Sequence, residues 1–301
     1  MNTIVKVTDL GKRYRGVTAL DGVSFSLTEN RIYGLLGRNG AGKTTLMQLL
    51  TAQAIATSGD IAVFGEHPYE NDRVLARTCL IKESQTYPQS MKVAHALRAA
   101  RLLHPNWDQR FADALLEEFQ LPPQRMVKKL SRGMLSALGV IIGLASRAPL
   151  TFFDEPYLGL DAVARHLFYD HLLADFAEHP RTVVLSTHLI DEVSDLIEHV
   201  LLIDQGRLLL DRNADDLRGD VVTVSGPVAA VHEITAGRTE LHGDLLGGTA
   251  RVTVRGRLTE AEQVQARALG LTVATVSLQE LVVRLTTGAG KPEPTAKELA
   301  R

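Results

Sequence analysis

The sequence predicts an α/β protein, and three observations carry that prediction. From residue 150 onward apolar strand-like runs alternate with helical stretches, the pattern of crossovers in a parallel sheet. A glycine-rich loop, GRNGAGKT, lies between the apolar run RIYGLL and a helical segment. A long helical stretch, about residues 90–145, interrupts the strands. The 301 residues are 45% hydrophobic and 23% charged, enough for a sizeable core and for two domains on length alone.

Taken in order, TIVKVTDL and GVSFSLT alternate in the manner of strands, so residues 1 to about 36 are β-rich. A helix is expected from about Gly42 to Ala56, then a short strand in DIAVFG. Helical spacing follows at Val93, Leu97 and Leu102, and again at Phe111, Leu115, Leu116 and Phe119, with a break at Pro122 and Pro123. LTFFD (150–154) and TVVLS (182–186) are continuous apolar runs suited to buried strands. Helices are expected over Ala162–Glu178 and Ile190–Leu196, and a strand over His199–Asp204.

Composition shifts near Arg218 and Gly219. A small α/β appendage, residues 219–287, is expected beyond it, with strands at 221–225, 249–254 and 272–277 and a helix at about 259–269. Ser277 and Glu280 have capping-box spacing for a last helix. Residues 288–301 read as a flexible tail.

Charge and composition exclude several functions. Lys plus Arg total 33 and Asp plus Glu 35, so a broad nucleic-acid surface is not expected. With one cysteine there is neither an intrachain disulfide nor a Cys-rich metal site, and the 10 histidines form no zinc motif. The N-terminus lacks the apolar core of a signal peptide. The longest apolar run, Leu135–Ala145, is short of the roughly 20 residues that span a bilayer. The expectation is a cytoplasmic chain that reaches a membrane only through a partner.

Residues 37–44 fit GxxxxGK[ST], the pattern of a phosphate-binding loop. Its glycines, Gly37, Gly40 and Gly42, let backbone N–H groups turn inward around phosphate oxygens. Arg38, Asn39 and Ala41 supply the rest of that backbone cradle, and Thr45 follows in the helix. Lys43 neutralises the β- and γ-phosphates, the Thr44 hydroxyl can ligate Mg²⁺, and the helix N-terminus adds partial positive charge. Asp154 and Glu155 end a buried strand, where open α/β sheets bind their ligands. Asp154 suits Mg²⁺, and Glu155 suits orienting or deprotonating an attacking water.

Further segments fall in a telling order: LSRGM (130–134) at a helix start, YLGLD (157–161) just after Glu155, and His188 after TVVLST, with Tyr14 lying 23 residues before Gly37. With the phosphate loop and the carboxylates, this set resembles the ATP-binding subunit of ABC transporters over about residues 1–215. The resemblance implies a phosphate-loop NTPase core of mixed sheet plus a helical subdomain at about 90–145, together about residues 1–218. It implies that Tyr14 stacks on adenine and that Ser131 and Gly133 contact the γ-phosphate of ATP held by a second subunit. It places Asp161 at the dimer interface and gives His188 a hydrogen bond to the γ-phosphate. Ser131 could equally be a plain helix cap.

Two departures stand out. The family signature is commonly LSGGQ, whereas Arg132 and Met134 occupy its third and fifth positions here. Family members usually place a Mg²⁺-ligating Gln after a short strand. In CLIKESQTYP that place falls to Glu83, with Gln85 two residues on as the alternative.

The resemblance therefore implies an ATPase that dimerises around two ATP, as a homodimer or with a related chain, and drives a separate transmembrane permease. The short C-terminal appendage is more like those of bacterial drug, antibiotic and lipid exporters than those of sugar importers. The competing function is a soluble ABC-type ATPase with a nucleic-acid, ribosomal or regulatory role. Only one phosphate loop and no heptad run are present to support it.

Overall fold

The computed structural model describes residues 2–83, 85–219 and 221–288. In chain order the strands and helices are β1 (Thr3–Tyr14), β2 (Val17–Thr28), β3 (Ile32–Leu36), α1 (Lys43–Leu50), β4 (Ser58–Val63), α2 (Asp72–Leu75), β5 (Thr78–Lys82), α3 (Val93–Leu103), α4 (Gln109–Glu118), α5 (Arg132–Ala145), β6 (Leu150–Asp154), α6 (Ala162–Glu178), β7 (Thr182–Thr187), α7 (Ile190–Val193), β8 (His199–Asp204), β9 (Arg207–Asn213), α8 (Ala214–Gly219), β10 (Val221–Pro227), α9 (Val228–Thr235), β11 (Glu240–Leu246), β12 (Thr249–Arg255), α10 (Glu260–Ala268), β13 (Thr272–Thr275) and α11 (Leu278–Gly288). They form two compact units, one of residues 1–188 and 196–211, the other of residues 189–195 and 212 onward.

The first unit holds two sheets. One has six strands in the order β5-β6-β7-β3-β8-β9, with β5, β6, β7, β3 and β8 joined in parallel. Strands β3, β6 and β7 are buried along their whole length, which is why their sequences are continuous apolar runs rather than alternating ones. The other is an antiparallel sheet, β2-β1-β4. Its inward residues, Val5, Val7, Leu10, Val23 and Ile61, share one core with Leu46, Met47 and Leu50 of α1 and with Phe152, Val184 and Leu201 of the parallel sheet. The phosphate-loop helix is thereby locked between two sheets, and the loop before it inherits that rigidity.

Helices α3, α4 and α5 occupy the predicted helical stretch. Their starts are capped as their sequences allow: Asp108 accepts from Phe111 N–H, and Ser131 from Met134 N–H. Two expected helices are shorter than their spacing suggests. Helix α1 ends at Leu50, because Thr51 bonds back to the Met47 carbonyl and Ala52 takes a left-handed conformation (φ 56°). Helix α7 covers only Ile190–Val193 of the expected Ile190–Leu196.

The second unit contains an antiparallel sheet of order β11-β12-β10-β13, with α9 crossing between β10 and β11 and α10 between β12 and β13. This βαββαβ order is the split-βαβ, ferredoxin-like arrangement. Val222, Val224, Val252 and Val254 form its core with Val231 and Ile234 of α9 and Ala266 of α10. Thr259 and Glu262 form a reciprocal capping box on α10. At α11 the Glu280 N–H donates to the Ser277 hydroxyl at 3.1 Å. Residues 289–301, most of the expected tail, lie outside the described residues.

Candidate functional site

The phosphate loop runs from the end of β3 into α1. Gly37 (φ 150°), Gly40 (φ 80°) and Gly42 (φ 111°) all hold conformations that side chains resist. Gly42 is also fixed by space, since a Cβ there would lie 2.6 Å from the Ala19 carbonyl oxygen. Lys43 is buried and folds back over its own loop, donating to the carbonyls of Gly37 (2.8 Å) and Arg38 (3.2 Å). Its ammonium stands 3.7 Å from Glu155 Oε1. Burial lowers the Lys43 pKa, and the charges of Glu155 and Asp154 oppose that shift. Beside the loop, Arg38, Asn39, Gly40, Ala41, His188, Asp204 and Gln205 line a cavity of about 500 Å³.

The carboxylates arrive from β6. The Thr44 hydroxyl donates to Asp154 Oδ2 at 2.5 Å. Asp154 Oδ1 and Glu155 Oε1 are buried without a hydrogen-bond partner among the described residues. The orphaned Asp154 oxygen and the Thr44 hydroxyl are oxygen ligands of the kind a hydrated Mg²⁺ would take, and the Lys43 ammonium beside them suits phosphate oxygens. Among the described residues no group of three or more His, Cys, Asp or Glu could hold a metal by itself.

Glu155 has a left-handed backbone (φ 51°), which turns its side chain back towards β7. There the Tyr157 hydroxyl donates to Glu155 Oε2. The same hydroxyl accepts from Thr187 Oγ1 (2.9 Å) and from the His188 N–H (3.1 Å). His188 Nδ1 lies 2.8 Å from Glu155 Oε2. Because the carboxylate only accepts, Nδ1 carries the proton. Nε2 then donates to a phosphate only when the ring is an imidazolium. Burial, first, and the neighbouring Glu155 charge keep the Tyr157 phenol protonated. Nothing in the spacing of YLGLD shows that the Tyr157 hydroxyl meets both Glu155 and His188.

The remaining candidates occupy the same unit. Ser131 caps α5, its hydroxyl accepting from Met134 N–H at 3.2 Å. Gly133 faces the loop after β6, where a Cβ would lie 2.6 Å from the Gly159 carbonyl oxygen, so packing alone demands glycine there. Asp161 caps α6, accepting from Ala164 N–H at 2.8 Å. Tyr14 is about half exposed, with the Lys12 ammonium 4.7 Å from its ring centroid. The Glu83 N–H donates to the Asp154 carbonyl (3.1 Å), while its carboxylate pairs with Arg132. Gln85 instead lines a separate cavity of about 630 Å³.

The chain is similar to known proteins in both sequence and fold. Residues 20–158 match the family described as ABC transporter. The chain is 33% identical over 225 residues to the bacitracin transport ATP-binding protein BcrA of Bacillus licheniformis, covering 72% of each chain. It is 30% identical over 250 residues to the Nod factor export ATP-binding protein I of Ralstonia nicotianae, covering 80% of this chain and 73% of that protein. Among solved structures, an ATP-binding subunit of an ABC transporter superposes with a TM-score of 0.66 at 24% identity, over 72% of this chain and 92% of that one. The chain belongs to the ABC transporter family, as one of its ATP-binding subunits.

Proposed function

We propose that this subunit hydrolyses ATP between two such chains and so powers a separate membrane permease, exporting compounds of the antibiotic or lipid-like class. The observation that carries the chemistry is the junction of the phosphate loop with Asp154, Glu155 and His188. Lys43 neutralises phosphate charge, and the loop's backbone N–H groups bind phosphate oxygens. Glu155 orients a water and takes its proton. His188 holds the γ-phosphate, with its ring fixed by Glu155 and Tyr157. Thr44 and Asp154 hold Mg²⁺, which supplies charge neutralisation when bound. Export is supported by the relatives, one named for bacitracin transport and one for Nod factor export.

Tyr157 acts by positioning. Tyr157→Phe removes one donor from Glu155 and the hydroxyl that accepts from the His188 N–H. The expected result is a kcat about tenfold lower with KM for ATP nearly unchanged, the size of one lost oriented hydrogen bond to a charged group. Steady-state hydrolysis measures it; an unchanged kcat removes Tyr157 from the machinery.

No helix among the described residues is long and apolar enough to cross a membrane, so the reading requires a permease. The cavity of about 630 Å³ in the first unit suits its docking. Leu102 and Leu103 are 81% and 67% exposed beside it. Gln85 Oε1, Tyr87 Oη and His104 Nδ1 are buried in its wall without partners among the described residues. A cytoplasmic segment of the permease would cover those leucines and satisfy those polar atoms, holding the chain on the inner face of the membrane. Affinity purification from detergent-solubilised native membranes is the test. A stoichiometric polytopic protein is expected, and it should be lost from a Leu102→Glu/Leu103→Glu chain. Recovery of the unaltered chain without a membrane partner would favour a soluble ATPase.

A further inference from the structure

Two residues that depart from the family pattern meet in this structure. Arg132 stands at the third position of LSRGM, and Glu83, with Gln85 as the alternative, stands where the resemblance places a glutamine. They are 49 residues apart in sequence, and the Arg132 guanidinium is ion-paired with the Glu83 carboxylate.

The surroundings give the pair consequence. Lys82 pairs with Asp154 across β5 and β6, and the Glu83 N–H continues that ladder to the Asp154 carbonyl at 3.1 Å. The Glu83 backbone is thus fixed beside the carboxylate that faces the phosphate loop, and its side chain is directed to α5. Arg132 is the first residue of α5, immediately after the capping Ser131. Its stem lies against the loop that follows Glu155: a Cβ on Gly159 would be 2.8 Å from Arg132 Cγ. The Ser136 hydroxyl, one turn along α5, donates to the Leu158 carbonyl of that loop at 2.5 Å. Three segments therefore converge on Arg132: the loop after β5, the start of α5, and the loop after β6.

We propose that Arg132 is a positioning residue that holds the Glu83 carboxylate on α5 and away from the Thr44–Asp154 pair. The anion for which Arg132 would release Glu83 is a phosphate brought to the N-terminus of α5, where the Arg132 cation already stands. Glu83 then becomes available to the Mg²⁺ of its own chain. The two departures compensate: a free acidic group beside Asp154 and Glu155 would add like-charge repulsion, and Arg132 cancels it. A glycine–glutamine combination has no need of the pair. This proposal rests on the reading that Mg·ATP binds at the phosphate loop.

The test is a Mg²⁺ titration of the full-length chain with a fluorescent, non-hydrolysable ATP analogue, so that the readout is binding rather than turnover. Both side chains reach solvent, 66% and 38% exposed, so substitutions there open no cavity in the core. Arg132→Gln is expected to lower the Mg²⁺ concentration for half-saturation about two- to fivefold, the range for an exposed ion pair. In a Glu83→Gln background the same substitution is expected to do nothing. The exchanged pair, Glu83→Arg with Arg132→Glu, tests the charge interaction in the reverse sense and should bring the requirement back above that of Arg132→Gln alone. An equal effect of Arg132→Gln with and without Glu83, or no effect in either, overturns the latch while leaving nucleotide binding intact. A chain that takes up no analogue at any Mg²⁺ concentration overturns the proposed function and the latch with it.

Discussion

A Glu155→Gln chain is expected to bind ATP, close into dimers and stay closed, with turnover reduced about 10²- to 10³-fold. The magnitude is that of a general base removed from a site whose other groups remain. The substitution is nearly isosteric, so the left-handed backbone at residue 155 and the contact with Tyr157 can persist. What disappears is the charge. Glu155 Oε1 has no hydrogen-bond partner among the described residues and faces the Lys43 ammonium at 3.7 Å. An amide there neither accepts a proton from water nor competes with phosphate for Lys43. Binding should therefore hold or tighten while hydrolysis fails. Size-exclusion chromatography with Mg·ATP, together with phosphate release, separates these effects. Hydrolysis at the unaltered rate would show that another group takes the proton.

The elements that position this site were legible because burial on both faces leaves an unmistakable mark. LTFFD and TVVLST carry no alternation, and both are strands buried throughout the parallel sheet. Helix α6 covers the predicted Ala162–Glu178, set at its start by Asp161, which also caps it. Strand β11 was not legible. ELHGDLL is a polar edge strand, nearly all exposed, so neither face has an apolar signature to read. Helix α9 was missed because Pro227 leads directly into it from β10, leaving no loop to mark the change.

The chemistry of the site divides along a similar line. The phosphate loop, Asp154 and Glu155 are local patterns, in which residue type and spacing carry the meaning. Tyr157 and Arg132 matter through contacts that no spacing encodes. Tyr157 lies in YLGLD and Arg132 in LSRGM, and the hydroxyl and guanidinium find Glu155, His188 and Glu83 only once β5, β6, β7 and α5 are packed together. Glu83 and Arg132 look independent in sequence, and the fold pairs them.

Lys43→Ala should lower ATP affinity by at least about 100-fold. Lys43 is a buried cation in a pocket whose nearest charges, Glu155 and Asp154, are negative. Into that pocket a triphosphate brings further negative charge. In the structure the ammonium is occupied by the Gly37 and Arg38 carbonyls and by Glu155, contacts it can exchange for phosphate oxygens without moving its backbone. Alanine removes the charge-assisted bonds, each worth about 1.5–3 kcal/mol. It also leaves two carboxylates facing the triphosphate without a counter-charge. Two such lost bonds already exceed the factor of 100, which corresponds to about 2.7 kcal/mol. Lys43→Arg is not expected to rescue binding. The planar guanidinium is larger and cannot occupy the space between the Gly37 carbonyl and Glu155 as a compact ammonium does. Titration with a fluorescent ATP analogue measures both variants. An affinity unchanged in Lys43→Ala would mean that nucleotide does not bind at this loop, and the proposed function would fall with it.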